Sequence, residues 1–107
     1  MYKKYFYELK IELKDFHLEL NELKLEKSEY DYILTKAKDA VHHKLLDFFL
    51  KELAKDAVKK DFLHLIKSKK DPESIFGFLE NKIENFETKL ISKEKEIEKE
   101  LVSLLLD

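Results

Sequence analysis

The chain has 107 residues, 41% of them charged, and its 21 basic residues, all lysine, stand against 23 acidic ones for a formal net charge of −2. The length fits one domain, residues 1–107, able to bury a core without metal or disulfide. The absence of cysteine excludes disulfides, zinc–thiolate centres, iron–sulfur clusters and thiol nucleophiles, and the absence of arginine excludes arginine-finger chemistry and guanidinium phosphate forks.

The N-terminus, Met1-Tyr2-Lys3-Lys4-Tyr5-Phe6-Tyr7, turns charged again at Glu8 and Lys10, so it holds no signal-peptide apolar stretch. Apolar runs such as Leu104-Leu105-Leu106 fall far below the roughly 20 residues of a membrane span. The expected protein is small, soluble and cytoplasmic, with no membrane contact.

Glycine and proline are the strongest breakers of regular backbone, and the chain has one of each, Pro72 and Gly77. Apolar residues at Tyr2, Phe6, Leu9, Leu13, Phe16, Leu20 and Leu23 alternate steps of four and three, a heptad seam that predicts a first helix over about 2–27. Period-two alternation through Tyr7, Leu9, Ile11 and Leu13 offers a strand instead. Its apolar face switches parity at Phe16, whereas the heptad seam passes through unbroken.

Ser28-Glu29-Tyr30-Asp31 has the form of a capping box and opens a second helix over about 29–67, with an unbroken first and second helix as the alternative. Its apolar face carries Leu45, Phe49, Leu53 and Phe62. Asp71 as N-cap and Pro72 in the first turn start a third helix over about 72–106, whose seam runs through Phe76, Leu79, Ile83, Phe86, Leu90, Ile97, Leu101 and Leu104. The expected fold is all-α, an elongated antiparallel bundle or coiled-coil hairpin of two to three long helices.

Charge is segregated: residues 1–35 sum to −2, residues 36–70 to +5 and residues 71–107 to −5. Lys51, Lys55 and Lys59 form an i, i+4 row that could track phosphates, which makes a nucleic-acid-associated regulator the alternative function. A reversal at residues 68–72 instead brings the basic segment against the acidic one. It pairs Lys59 and Lys60 with Glu80 and Glu84, Lys55 with Glu84 and Glu87, and Lys44 with Glu94 and Glu96.

Asp39-Ala40-Val41-His42 and Asp61-Phe62-Leu63-His64 place a carboxylate and an imidazole on one helix face. The two pairs sit about 33 Å apart on one predicted helix, and no glutamates complete a metal site. No phosphate loop or nucleophile–base set can be assembled, so neither catalysis, metal nor cofactor is expected. A second stripe, Ile11, Leu18, Leu25 and, if the first helix continues, Tyr32, recurs every seven residues opposite the seam, where water is the normal neighbour. That stripe, with Tyr2 and Phe6 of the tyrosine-rich start, marks a surface for self-association, a dimer first, or for another protein. Heptads and charge runs of this kind identify no family. The expected function is a non-catalytic helical interaction module of adaptor, chaperone or inhibitor type.

Overall fold

The computed structural model describes residues 6–106. Among them the secondary structure is helical and no strand forms. A single 3-10 turn, Phe6–Leu9, precedes five α-helices: α1 Lys14–Glu22, α2 Lys27–Glu52, α3 Asp56–Lys67, α4 Pro72–Lys82 and α5 Phe86–Leu106. No helix is long and apolar enough to cross a membrane.

Three expected long helices are thus each broken once, at 10–13, 53–55 and 83–85, where neither glycine nor proline stands. Packing supplies the reason. Phe49 and Phe62 would lie about 20 Å and 140° apart on one continuous helix, yet their rings meet edge to face with centroids 5.9 Å apart. The break after Glu52 makes that contact possible. Likewise Phe76 and Phe86 would stand about 15 Å apart on a straight helix, and the turn at 83–85 brings their rings to 6.1 Å. Between the 3-10 turn and α1 the backbone is irregular, and burial alternates: Ile11 and Leu13 are buried, Glu12 and Lys14 exposed. The period-two pattern is real there without becoming a strand.

The long helices α2 and α5 run antiparallel. Lys89 Nζ lies 2.7 Å from Glu52 Oε1, and Lys44 Nζ lies 2.8 Å from Glu100 Oε2, so numbers fall along α2 as they rise along α5. Lys44 therefore meets Glu100, one turn beyond the expected Glu94 and Glu96. Between the two helices Val41, Leu45, Phe49, Leu90, Ile97 and Leu101 are buried. The N-terminal segment climbs beside α5 in the same direction: Lys10 pairs with Glu80 and Glu87, and the Asp15 amide donates to Glu98. The α3–α4 hairpin closes the opposite end.

The reversals after α1 and α3 use lysine where glycine is usual. Lys24 and Lys69 adopt left-handed φ of 51° and 53°, as do Leu13 at 53° and Asn85 at 55°. At Lys69 the motif is complete: its amide donates to Ile66 O, and the Lys70 amide donates to Leu65 O, the paired bonds of a Schellman cap. Gly77 sits instead in the middle of α4 with negative φ, and a Cβ added there would meet nothing within 4 Å. Asp71 caps α4 as expected, accepting from the Ser74 amide at 3.1 Å and hydroxyl at 2.8 Å. The Ser74 hydroxyl, then its amide, hold the Asp71 carboxyl below its ordinary range. Ser28 does not cap α2, which starts at Lys27 after Glu26 with no side-chain cap.

Exchanging the two residue types should therefore stabilise the fold. Lys69→Gly removes the left-handed penalty, about 0.5–1 kcal/mol after the added chain entropy of glycine. Gly77→Ala gains about 1 kcal/mol of helix propensity. Thermal unfolding of both variants checks this, with both midpoints expected to rise.

Candidate functional site

The surface that combines apolar exposure with unpaired charge lies where α1 meets α5. Leu13, Phe16 and Leu20 are buried, and they turn the apolar side of α1 inward. At the head of α1, Leu13 has no side-chain acceptor for the free amides of the first turn. Glu98 on α5 supplies it, with Oε2 accepting from the Asp15 amide at 3.0 Å and the Phe16 amide at 3.4 Å. A carboxylate at a helix N-terminus is also favoured by the helix dipole. The cap of α1 thus comes from another helix and fixes α1 on α5.

Outside this contact runs an open groove of about 610 Å³. Asp15, Leu18, Glu19 and Glu22 form its α1 wall, and Lys95, Glu98, Lys99 and Val102 its α5 wall. Leu18 stands 61% exposed. On α5, Ile91, Lys95, Val102 and Leu106 fall within an arc of about 60°, turned away from buried Leu90, Ile97 and Leu101. Ile91 is 53% exposed and Leu106 is also exposed.

The residues marked from sequence do not form one stripe. Ile11 is buried in the chain's own core, because the first helix is interrupted at 10–13, and it is unavailable to a partner. Leu25 is half-buried against the core just beyond the end of α1. Tyr32 is exposed but lies on α2, with Lys36 Nζ 5.6 Å from its ring centroid. Phe6 packs inward against Phe76 and Phe49 at centroid distances of 5.6 and 6.3 Å. Tyr2 lies outside the described residues. Leu18 alone keeps the expected exposure on α1. Its neighbours on α5 were missed, though Ile91, Val102 and Leu106 lie off the third seam as Leu18 lies off the first. Leu104, assigned to that seam, is 70% exposed near the end of α5.

The lysine row is also divided. Lys51 ends α2 and pairs with Asp47 at 3.0 Å, Lys55 lies in the interruption, and Lys59 lies on α3. Among the described residues Lys55, Lys59 and Lys60 form no ion pair, so the expected pairing with Glu80, Glu84 and Glu87 is not made.

Neither Asp–His pair builds a reactive set. Asp39 Oδ2 lies 3.7 Å from His43 Nε2 on the exposed face of α2, and His64 Nε2 lies 3.4 Å from Ser68 Oγ. Among the described residues no three His, Asp or Glu side chains converge as metal ligands would. Lys38 Nζ and Glu8 Oε1, 3.0 Å apart and mostly shielded, tie the 3-10 turn to α2, where Tyr7 OH also donates to Lys38 O at 3.0 Å. Burial lowers the Lys38 ammonium below its ordinary range. No protein-family model, curated protein or solved structure matches the chain.

Two carboxylates at this site should act oppositely. Glu98→Ala leaves the first amides of α1 uncapped and should cost about 1 kcal/mol, a typical capping loss. Glu94, one turn below, is held above the ordinary 4.5 by burial first, then by the charges of Glu98 and Glu12. A carboxyl whose folded pKa is raised is stabilising when protonated, so its ionisation weakens the fold as pH rises past that range. Glu94→Gln should raise the unfolding midpoint at pH 7, and the gain should fade as pH falls towards 4. Thermal melts across that range check both variants.

Proposed function

We propose that the chain is a non-catalytic helical interaction protein, of adaptor, chaperone or inhibitor type, that self-associates through α1. The observation that supports it is the exposure of Leu18 beside Val102 in a groove between two helices whose inner sides are already buried. A leucine standing mostly in water beside further exposed apolar residues on α5 forms a contiguous patch, the usual mark of a contact surface. Burial of that patch gains roughly 25 cal/mol per Å² of apolar area removed from water. Activity by occupation of a surface requires no catalytic set, and the charge-rich exterior keeps the unassociated chain dispersed.

Light scattering on the purified chain should give the mass of a dimer. Leu18→Glu should give the monomer mass with the helical circular dichroism unchanged, because an exposed substitution costs the fold no more than roughly 0.5 kcal/mol. A monomeric parent chain contradicts self-association.

One observation favours nucleic-acid association as a second reading. Residues 51–70 carry seven lysines, at positions 51, 55, 59, 60, 67, 69 and 70, against Glu52, Asp56 and Asp61. Internal pairing does not neutralise α3. Filter binding to duplex and single-stranded DNA and RNA at low salt tests it. Retention that falls steeply with salt and is lost in Lys59→Glu/Lys60→Glu supports this reading; no retention at low salt removes it.

A further inference from the structure

The groove between α1 and α5 carries two rows of charge of opposite sign, one on each side of an apolar strip. Asp15, Glu19 and Glu22 line the α1 side, Lys95 and Lys99 the α5 side, and Leu18 and Val102 lie in the groove with them. Among the described residues none of the five charged side chains takes part in an ion pair within the chain. The rows match in spacing: Glu19 and Glu22 stand about 4.5 Å apart along α1, and Lys95 and Lys99 about 6 Å apart along α5.

Such a surface is complementary to itself in one orientation. We infer that a second copy of this chain seats on the groove about a two-fold axis running along the apolar strip, so that Glu19 and Glu22 of each copy face Lys95 and Lys99 of the other. The proposal rests on the self-association reading and adds the face, the partner residues and the direction. An axis lying across the strip would set carboxylates on carboxylates and ammonium groups on ammonium groups, which costs affinity and suppresses that register. The charges therefore select the dimer in which the two α5 helices run parallel. The interface is isologous and closes on itself, so it yields dimers and no longer polymer. Ile91 and Leu106 extend the apolar strip along α5 towards both ends of the contact.

Charge exchange tests this directly, with light scattering as the readout and circular dichroism to verify that each variant is folded. Glu19→Lys/Glu22→Lys and Lys95→Glu/Lys99→Glu should each raise the dimer dissociation constant at least about tenfold, as facing like charges do. An equimolar mixture of the two variants should recover the dimer mass, because every reversed row then meets its opposite. Retention of the dimer by both single-sided variants, or failure of the mixture to recover it, overturns the proposed face while leaving self-association standing. A parent chain that remains monomeric overturns both.

Discussion

The fold depends on one ring. Phe49, fully buried near the end of α2, meets Phe62 of α3 at 5.9 Å, Phe86 of α5 at 5.8 Å and Phe6 of the 3-10 turn at 6.3 Å. Phe76 of α4 completes the cluster through Phe6 and Phe86. A single aromatic contact exceeds its area burial by about 0.5–1.5 kcal/mol. The larger consequence is geometric. Five phenylalanines spread over the sequence can share one site only if the chain turns sharply between them, and the interruptions at 53–55 and 83–85 are those turns.

Helix α1 stands outside this cluster. It docks along α5 through Leu13, Phe16 and Leu20 and through the Glu98 cap. A short helix of nine residues held on one flank keeps its other flank in water. The groove is therefore a consequence of how the core is built. The phenylalanines gather at the α3–α4 end, and the part of α5 beside α1 is left covered on its inner side only. The same arrangement separates charge, with the lysines of α3 at one end and the acidic row of α1 beside α5.

Much of the fold is legible from residue pattern alone. The all-helical character, the Asp71-Pro72 start of α4 and the antiparallel direction of residues 44–52 against 89–100 all follow from it. Within α2 and α5, the buried positions Ala37, Val41, Leu45, Phe49, Leu90, Ile97 and Leu101 keep helical spacing. The breaks were not legible, because local propensity favours helix through Leu53-Ala54-Lys55 and only the distant rings overrule it. Nor do lysines announce left-handed turns: Lys24 and Lys69 do the work that glycine usually does, while Gly77 sits where alanine would serve. At the groove, Leu18 was visible as an apolar residue off the seam. Ile11 of the same stripe was misplaced because its role depends on the interruption before α1. Lys95 and Lys99 carry no signature in sequence, since surface lysines become a row only when another helix lies beside them.

The central claim is that the outer face of α1 and α5 is where this chain meets its own kind. Amide hydrogen exchange read residue by residue at low and high protein concentration tests it most directly. Added protection at high concentration confined to residues 14–22 and 91–106 is the result expected. Protection that gathers on α3 instead, or exchange that does not change with concentration, would contradict it.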